Sequence, residues 1–261
     1  MSEAARRQTA LITGASSGFG VEFAKLFARD GYDLVLVARS LAKMEVLAER
    51  LRARYSISAT VLPADLSDPD SPRAIWDALE REGIGVDVLV NNAGFATHGR
   101  FAEIAYEPER EEMQVNIVSL TLLTKLFLPP MLARGQGGIL NVASTAAFLS
   151  GPLMSVYYAS KAYVLSFTTA LAEEVRGSGV TVTCLCPGAS RTGFADRAEV
   201  HNTRLFRAGA MDARTVALAG YRGFRQKKTV VIPGLQNALV VQATRFAPRR
   251  LAARMVMAAQ E

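Results

Sequence analysis

A tyrosine and a lysine lie four residues apart in the stretch Tyr157-Tyr158-Ala159-Ser160-Lys161, and Ser144 precedes them. Side chains four apart on a helix face the same way, so the ammonium of Lys161 can lie beneath the phenol of Tyr157. A phenol titrates near ~10, and a fixed positive neighbour brings its pKa toward neutral pH. Such a phenol can give or take a proton at a carbonyl or alcohol oxygen.

Two adjacent tyrosines satisfy this spacing. Tyr158 is also about one helical turn from Lys161, and Thr145 stands beside Ser144 as a second hydroxyl. A tyrosine and a lysine at this distance also occur often by chance. The meaning of the pair therefore depends on the elements that carry it.

A glycine-rich segment, Thr13-Gly14-Ala15-Ser16-Ser17-Gly18-Phe19-Gly20, joins the first predicted strand to the first predicted helix. In a dinucleotide-binding fold, glycines at this junction permit a tight turn and let the backbone approach a pyrophosphate at the helix N-terminus. The position in the chain favours a nucleotide site over an ordinary glycine turn. The spacing is Gly-x3-Gly-x-Gly and not the commoner Gly-x-Gly-x2-Gly.

Apolar strand-like runs alternate with helical patterns along the chain. Runs of valine, leucine and isoleucine separated by helices are typical of a parallel sheet covered on both faces. We therefore predict an α/β fold, a single-domain Rossmann-like doubly wound sheet of about seven parallel strands. The predicted strands are Thr9–Thr13, Asp33–Ala38, Ala59–Pro63, Val86–Asn91, Gly138–Val142, Val180–Pro187 and Thr229–Ile232.

The composition is that of a globular enzyme with one large core. The chain has 261 residues, of which 50% are hydrophobic and 21% charged, and we expect one domain over residues 1–261. The N-terminal residues lack the apolar core and cleavage site of a signal peptide. The most apolar stretch, Val115 to Ala133, contains Asn116, Lys125 and two prolines. We therefore expect no membrane span and predict a cytoplasmic protein.

Cysteine and histidine add little chemistry to this sequence. Cys184 and Cys186 share one face of an apolar strand, so we interpret them as small buried residues and not as a disulfide or a metal site. His98 and His201 stand far apart in the sequence, and we expect neither to be catalytic. No metal site is expected.

In its motifs the sequence resembles the classical short-chain dehydrogenase/reductase family, of the NADP-preferring type. The resemblance covers residues 9–235 and depends on several motifs that follow one another in the family's order. These are Thr13–Gly20, Asp65, Asn91-Asn92-Ala93-Gly94, Asn116, Ser144, Tyr157 with Lys161, and Pro187-Gly188 with Thr192. The resemblance implies hydride transfer between a nicotinamide cofactor and a carbonyl or CH–OH carbon.

The resemblance also implies a role for each motif residue. It selects Tyr157 as the general acid in reduction, with Lys161 lowering its pKa and binding the nicotinamide ribose. Ser144 would hydrogen-bond the substrate carbonyl, and Asn116 would hold a water that links Lys161 to solvent. The cofactor-binding residues are then Gly14, Ser16, Ser17, Gly18, Phe19, Gly20, Arg39, Ser40, Asp65, Leu66, Asn92, Ala93, Gly94, Tyr157, Lys161, Pro187, Gly188 and Thr192.

The residues after the second strand bear on the choice of cofactor. An acidic residue there binds the ribose 2′-hydroxyl of NAD, whereas this chain has Ala38-Arg39-Ser40. The Arg39 guanidinium can donate to a 2′-phosphate. We predict NADP(H), with NAD(H) less favoured. Ser17 stands where NADP-preferring relatives often carry a second basic residue.

The substrate pocket should lie beyond the carboxyl ends of the strands, in segments 95–104, 145–156 and 189–210. Their apolar residues favour a hydrophobic ketone, aldehyde or secondary alcohol over a sugar. The segment from about 189 to 210 is predicted to be a mobile lid. The apolar residues are Phe95, Phe148, Leu149, Leu153, Met154, Phe194 and Phe206.

Positive charge is concentrated toward the C-terminus. Residues 201–261 hold 11 Lys and Arg against 2 Asp and Glu, a net of +9, whereas residues 1–200 have a net of −3. The basic C-terminal segment, about residues 235–261, could pack on its own fold or on a second subunit. It could also contact a membrane surface, an acidic carrier or a cofactor phosphate. We expect no nucleic-acid binding, because no recognition motif is present.

A short helix is predicted in this segment. Pro248 begins it, Arg250 and Arg254 are one turn apart, and a neighbouring stripe holds Leu251, Met255 and Ala258.

The leading hypothesis is an NADP(H)-dependent oxidoreductase that transfers hydride between the nicotinamide and a hydrophobic ketone, aldehyde or secondary alcohol. The alternative is a ketoacyl-thioester or steroid-type reductase. A catalytically silent NADP(H)-sensing protein fits less well, because Asn116, Ser144, Tyr157 and Lys161 are all present. By resemblance we also expect a homodimer or homotetramer built on two long helices, about 108–134 and 157–177.

Overall fold

The centre of the fold is a parallel sheet of short apolar strands. The computed structural model describes residues 7–191, 210–244, 246 and 248–260. Its strands are β1 (Thr9–Thr13), β2 (Asp33–Ala38), β3 (Ala59–Pro63), β4 (Val88–Asn91), β5 (Gly137–Val142), β6 (Val180–Leu185), β7 (Ser190–Arg191), β8 (Met211–Asp212) and β9 (Val230–Val231). Within these residues, seven strands form a parallel sheet in the order β3-β2-β1-β4-β5-β6-β9. The predicted Rossmann-like α/β fold is confirmed.

Several strand ends differ from the prediction. β4 begins at Val88 and not at Val86, β6 ends at Leu185 and not at Pro187, and β9 spans only Val230–Val231. β7 and β8 pair in a separate two-stranded ribbon that the sequence analysis missed. Strands of two residues are too short to show a periodic pattern.

Helices cover the sheet between successive strands. They are α1 (Gly18–Arg29), α2 (Leu41–Tyr55), α3 (Ser71–Arg81), α4 (Tyr106–Met113), α5 (Leu120–Ala133), α6 (Ser155–Glu174), α7 (Ala213–Arg225), α8 (Leu235–Thr244) and α9 (Arg249–Gln260). A π-helical turn, Gln114–Ser119, joins α4 to α5, and a 3₁₀ turn, Thr145–Phe148, follows β5. The helix predicted from Pro248 is α9.

Each strand supplies side chains to two cores on opposite faces of the sheet. In β1, Ala10 and Ile12 belong to a core that includes Phe23 and Phe27 of α1. Leu11, which points the other way, belongs to a second core with residues of α3, α5 and α6. This alternation along a fully buried strand is the pattern that a sheet covered on both faces requires.

The strand order places a crevice between β1 and β4. The chain runs from β1 outward through β2 to β3, and then returns to the other side of β1 for β4. The connections that leave the carboxyl ends of β1 and β4 therefore diverge. Ligands of open α/β sheets bind at such a switch point.

Buried side-chain hydrogen bonds tie the central strands to the helices above them. The amide of Asn91 at the end of β4 donates to Thr124 Oγ1 of α5 at 3.0 Å and to Asn141 Oδ1 of β5 at 2.9 Å. The amide of Asn141 donates in turn to Thr168 Oγ1 of α6 at 3.0 Å. Because a buried amide without partners is unstable, these bonds fix how α5 and α6 lie on the sheet.

The helix Tyr106–Ala133, formed by α4, the π turn and α5, has 28 residues and is apolar enough to cross a membrane by length and composition. Of its most apolar window, 44% is buried inside the structure. Leu123, Phe127 and Met131 are among the buried residues and pack in the core beneath the sheet.

We predict that the Phe27 side chain contributes strongly to the stability of the core between α1 and the sheet. Its ring contacts those of Tyr32, Tyr221 and Phe224 edge to face, at centroid distances of 5.1, 4.9 and 6.3 Å. Phe27→Ala should lower the free energy of unfolding by about 3–5 kcal/mol, measured by denaturant titration. Phe101→Ala, at a side chain that is 65% exposed, is the control and should change it by less than about 0.5 kcal/mol. Equal losses in the two variants would contradict the assignment.

Candidate active site

A cavity of about 1100 Å³ lies at the carboxyl ends of the strands, over the switch point between β1 and β4. It is lined by the loops that follow β1, β2, β3, β4, β5 and β6, and by residues of α8 and α9. Its volume is enough for a large ligand. Most of the predicted cofactor-binding residues line it, namely Gly14, Ser16, Ser17, Gly18, Phe19, Arg39, Ser40, Asp65, Leu66, Asn92, Ala93, Gly94, Pro187 and Gly188.

The predicted catalytic side chains meet at one end of this cavity. Tyr157 and Lys161 lie on α6, and the Lys161 Nζ atom is 5.6 Å from the centre of the Tyr157 ring. Ser144 lies close enough to the Tyr157 phenol to lower its pKa. Lys161 Nζ also donates to the Val142 carbonyl at 3.1 Å, which fixes the ammonium against the end of β5.

Ser144 is held by the 3₁₀ turn that it begins. Its Oγ atom accepts a hydrogen bond from the Ala146 amide at 3.1 Å and donates to the Pro187 carbonyl at 3.3 Å. Thr145, the alternative hydroxyl, also lines the cavity. The effect of Ser144 on the Tyr157 pKa favours Ser144 over Thr145 as the partner of the phenol.

Asn116 lies in the π turn and is buried behind the loop that follows β4. Its side chain donates to the Phe95 carbonyl at 2.9 Å and to Ser160 Oγ at 3.1 Å, and accepts from the Phe95 amide at 3.2 Å. A Cβ on Gly94 would lie 2.9 Å from Asn116 Oδ1 and 3.2 Å from Lys161 Nζ. Asn116 therefore positions this loop against Lys161. Its link to solvent through a water stays a prediction.

Burial controls the protonation of this site. It raises the pKa of Tyr157, and the nearby Ser144 hydroxyl opposes that rise only in part. Burial lowers the pKa of Lys161 from 10.5 to about 8, and the Glu112 carboxylate opposes that change. Desolvation of the phenol therefore dominates its pKa in this structure, and the expected lowering of that pKa by Lys161 stays a prediction. A protonated phenol is the form that donates to a carbonyl oxygen.

The strand end that leads into the glycine-rich loop is hydrogen-bonded to the loop that follows β4. Thr13 Oγ1 accepts hydrogen bonds from the amides of Asn92 and Ala93, both at 2.9 Å, and the Asn92 side chain donates to the Thr13 carbonyl at 2.8 Å. Sequence reasoning quoted Thr13 but missed this role. A threonine at the end of the first strand, before the first glycine, is the feature that could have pointed to it.

Two of the glycines are required by space and conformation. Gly14 has a φ of 65°, and a Cβ there would lie 2.8 Å from the Asn92 side-chain nitrogen. A Cβ on Gly20 would lie 2.2 Å from the Gly14 carbonyl oxygen, so only glycine lets α1 begin this close to the loop. The first turn of α1 then presents backbone N–H groups to the cavity, an arrangement that fits a pyrophosphate.

The other end of the cavity carries positive charge near its mouth. Arg39 Nη1 lies 4.0 Å from Asp65 Oδ2, and both side chains are largely exposed. Lys43, in the first turn of α2, also lines this end. Sequence reasoning missed Lys43, although its place one turn after Ser40 could have indicated it. Two cations here fit a nucleotide phosphate.

At the far side of the predicted nicotinamide end, Gly188 packs against α8. A Cβ on Gly188 would lie 2.6 Å from Asn237 Oδ1, and the Asn237 side chain donates to the Pro233 carbonyl at 2.8 Å. Thr192, His201, Phe194 and Phe206, with positions 192–209 of the predicted lid, lie outside the residues that the structure describes.

The predicted substrate end is apolar. Ala96, Ala146, Met154 and Tyr158 form a buried cluster against which Leu149, Tyr157 and Val256 pack. Of the described apolar residues expected here, Phe95, Leu149 and Met154 line the cavity, whereas Phe148 and Leu153 are not among its lining residues. Phe148 packs instead against a cluster that includes Val164 and Cys184. Leu153 has a φ of 66°, and its carbonyl accepts from the Gly99 amide at 2.8 Å.

Residues 8–202 match the profile of the short chain dehydrogenase family. The chain belongs to this family. Ketoacyl reductase HetN from Nostoc sp. is 33% identical over 240 residues, which make up 92% of this chain and 82% of that protein. The match to the family makes this protein an oxidoreductase that acts on CH–OH groups with NAD(P).

Solved structures of the short chain dehydrogenase family superpose on the whole fold. A short-chain dehydrogenase from Sphingobium yanoikuyae, in complex with NADPH, is 35% identical, has a TM-score of 0.83 and covers 94% of both chains. The bulky-bulky ketone specific alcohol dehydrogenase from Comamonas testosteroni is 31% identical, with a TM-score of 0.78 and 92% of both chains covered.

The two cysteines form no disulfide in this structure. Cys184 and Cys186 are buried free thiols on the β6 side of the sheet, with their Sγ atoms 3.7 Å apart. No group of three or more His, Cys, Asp or Glu side chains that could hold a metal occurs among the residues described.

A buried carboxylate pair behind the active site was missed by sequence reasoning. Glu112 Oε2 accepts from the Thr97 amide at 2.7 Å and from the Thr97 hydroxyl at 2.9 Å. The same hydroxyl lies 3.0 Å from Glu109 Oε1. Both glutamates lie on the inner face of α4, and together they hold the loop after β4. Burial raises the pKa of Glu112 from 4.5 to about 7, with Glu109 adding to the rise and Lys161 opposing it.

We predict a pH-dependent loss of stability from Glu112. Below pH 4.5 this carboxyl is protonated in both the folded and the unfolded chain, so it contributes nothing. Between pH 4.5 and about 7 only the folded state keeps the proton, so the free energy of unfolding falls as pH rises. Glu112→Gln should remove this slope and stabilise the protein relative to wild type by about 3 kcal/mol more above pH ~7 than below pH ~4.5.

Denaturant titrations at a series of pH values measure this difference. Glu103→Gln, at an exposed position in the preceding loop, is the control and should run parallel to wild type. The prediction is wrong if Glu112→Gln also runs parallel to wild type across that range.

Proposed function

We propose that this protein is an NADP(H)-dependent oxidoreductase that interconverts hydrophobic ketones or aldehydes and their alcohols. The observation that carries the proposal is the meeting of Ser144, Tyr157 and Lys161 at the apolar end of a cavity whose other end carries cations. The glycine-rich loop and the first turn of α1 lie between the two ends. These residues fit a dinucleotide with its nicotinamide toward Tyr157.

Reduction of a carbonyl adds a hydride to carbon and a proton to oxygen. The nicotinamide, when bound, supplies the hydride. Tyr157 donates the proton, and the Ser144 hydroxyl binds the same oxygen as negative charge develops on it. The Lys161 ammonium, held by the Val142 carbonyl, stabilises the phenolate that remains. Oxidation of an alcohol uses the same groups in reverse.

Relatives support both the cofactor and the substrate class of this proposal. The structure from Sphingobium yanoikuyae contains NADPH, and the enzyme from Comamonas testosteroni is specific for bulky ketones. The apolar cluster around Ala146, Met154 and Tyr158 would exclude water from the reacting carbonyl and suit a substrate with a bulky hydrophobic body.

A ketoacyl-thioester reductase is the second candidate. The relative from Nostoc sp. is a ketoacyl reductase, and the basic C-terminal segment would suit an acidic carrier. This function needs the same four residues, Asn116, Ser144, Tyr157 and Lys161, together with a longer and more open substrate channel. Activity on acyl thioesters but not on free ketones would favour it.

Oligomeric state, location and surface contacts stay predictions. α4, α5 and α6 expose Met113, Leu122 and Tyr163, which would suit the predicted homodimer or homotetramer. α8 and α9 expose further apolar residues beside the arginines of α9, so a membrane or carrier contact is still expected as an alternative use of this segment. We also propose one domain over residues 1–261, a lid at residues 189–210 and a cytoplasmic location.

We predict that Tyr157 is essential for turnover and Tyr158 is not. Tyr157→Phe should lower kcat for ketone reduction by about a hundredfold to ten-thousandfold, because the proton donor is lost. NADPH binding, followed by fluorescence, should change little. Tyr158→Phe and Tyr163→Phe are matched controls and should keep most of the activity on simple ketones.

The assay is NADPH oxidation with a panel of ketones, aldehydes and acyl thioesters. If wild type binds NADPH but turns over nothing in the panel, the proposed function loses its support. Full activity of Tyr157→Phe would instead reject Tyr157 as the proton donor.

We predict that Arg39 selects NADPH over NADH. Arg39→Ala removes a charge-assisted hydrogen bond to the 2′-phosphate and should raise the KM for NADPH by about tenfold to a hundredfold. The KM for NADH should stay nearly constant. Arg50→Ala, at an exposed position on α2, should leave both values unchanged. An unchanged preference for NADPH over NADH in Arg39→Ala would contradict this assignment.

A further inference from the structure

α9 forms one wall of the cavity. Its cavity-lining residues are Ala252, Met255, Val256, Ala259 and Gln260, a stripe with the spacing of one helix face. The stripe noted in the sequence, Leu251, Met255 and Ala258, shares only Met255 with this face. Leu251 is exposed and is not a cavity-lining residue, whereas Met255 is exposed and also lines the cavity. The inner face of α9 therefore belongs to the pocket.

Gln260 is the polar residue of this inner face. Its side chain is 3% exposed, and its amide nitrogen donates to the Tyr158 hydroxyl at 3.1 Å and contacts Met154 Sδ at 3.2 Å. Its Oε1 atom has no hydrogen-bond partner among the residues that the structure describes. A buried side-chain carbonyl without a partner is uncommon, and because Gln260 lines the cavity, a ligand bound there could supply the missing hydrogen bond.

Tyr158 completes the pair and is rigidly placed. A Cβ on Gly151 would lie 2.1 Å from the Tyr158 ring, so the ring fits only because Gly151 has no side chain. The ring also packs edge to face on Tyr157 at 6.0 Å between centroids. Because its oxygen accepts from Gln260, its own hydrogen is free to be donated.

Together the two side chains offer one donor and one acceptor side by side. A hydroxyl group both accepts and donates, so it satisfies both. A carboxylate would only accept and would face the Gln260 oxygen, and an ammonium would only donate and would leave the Tyr158 hydrogen unmatched. The surrounding Met154, Leu149 and Val256 are apolar, so the hydroxyl must belong to a hydrophobic molecule.

We propose that Gln260 and Tyr158 form a distal subsite that binds a hydroxyl group on the hydrophobic body of the substrate. The Tyr158 ring of this subsite packs edge to face on the ring of the proton donor Tyr157. This inference rests on the proposed function, since it names the class of carbonyl compound that the same pocket takes. The preferred substrates are hydroxylated apolar ketones.

The test compares methyl ketones of increasing chain length, each with and without a terminal hydroxyl, as substrates of the full-length protein with NADPH. At one chain length, kcat/KM should favour the hydroxylated member by about tenfold or more, mainly through KM. The methyl ether of that hydroxyl, which accepts but cannot donate to Gln260, should behave like the parent ketone.

Gln260→Met keeps the size of the side chain and removes its polar atoms. It should bring the preference for the hydroxylated ketone over its parent down to about one, whatever its effect on kcat/KM for the parent ketone. Gln242→Met, the same change at an exposed position of α8 outside the cavity, is the control and should keep the preference. Tyr158→Phe removes the donor and should also reduce the preference, which provides a second test if Gln260→Met folds poorly.

The outcomes separate this inference from the function on which it rests. If wild type reduces both members of every pair equally, and Gln260→Met matches it, the subsite is overturned and the reductase function stands. If wild type reduces no ketone although it binds NADPH, both are overturned. A preference that survives in Gln260→Met and in Tyr158→Phe also overturns the subsite.

Discussion

The hydroxyl of Thr13 is the contact on which the nucleotide end of this fold depends. It accepts two backbone hydrogen bonds from the loop after β4, and that loop returns one through Asn92. β1 and β4 are paired strands whose connections diverge, and these hydrogen bonds hold together the loops that follow them. One hydroxyl therefore sets the distance between the glycine-rich loop and the loop that carries Gly94 and Phe95.

The arrangement of the catalytic residues also depends on the contact between Thr13 and the loop after β4. Phe95, two residues beyond Ala93, is held by Asn116, and Asn116 also binds Ser160 on α6 between Tyr157 and Lys161. The π turn makes this possible, because the extra residue in the turn changes the direction of the Asn116 side chain relative to the rest of the helix. The buried amides of Asn91 and Asn141 fix α5 and α6 from beneath. The helices and loops that carry the catalytic side chains are thus positioned mainly by hydrogen bonds between buried polar groups.

Much of this could be predicted from the sequence because its elements have strong local patterns. Apolar runs identified the strands of the sheet, and the glycine loop, Asn92-Ala93-Gly94, Ser144 and Tyr157 lie around one cavity as their order suggested. What could not be predicted depends on contacts between distant residues. The Glu112 and Thr97 bonds, and the place of Lys43 at the cavity mouth, follow from how α4 and α2 are oriented on the sheet.

Spacing in the sequence does not by itself determine the protonation of Tyr157. A tyrosine and a lysine on one helix face suggested a lowered phenol pKa, but the fold encloses the phenol and raises it. Spacing reports which charges are near one another, whereas desolvation depends on everything else that surrounds them. For α9, likewise, periodicity shows that the helix has two faces but not which one meets the protein.

The wall that α9 contributes has a consequence for how this protein could diverge from its relatives. The match to the family ends at residue 202, whereas α8 and α9 form the outer side of the pocket. The residues that move protons and those that shape the outer pocket are therefore encoded in separate stretches of the gene. Substitutions in the second stretch can change which molecules enter while the first stays constant, so new substrate ranges can arise without an inactive intermediate.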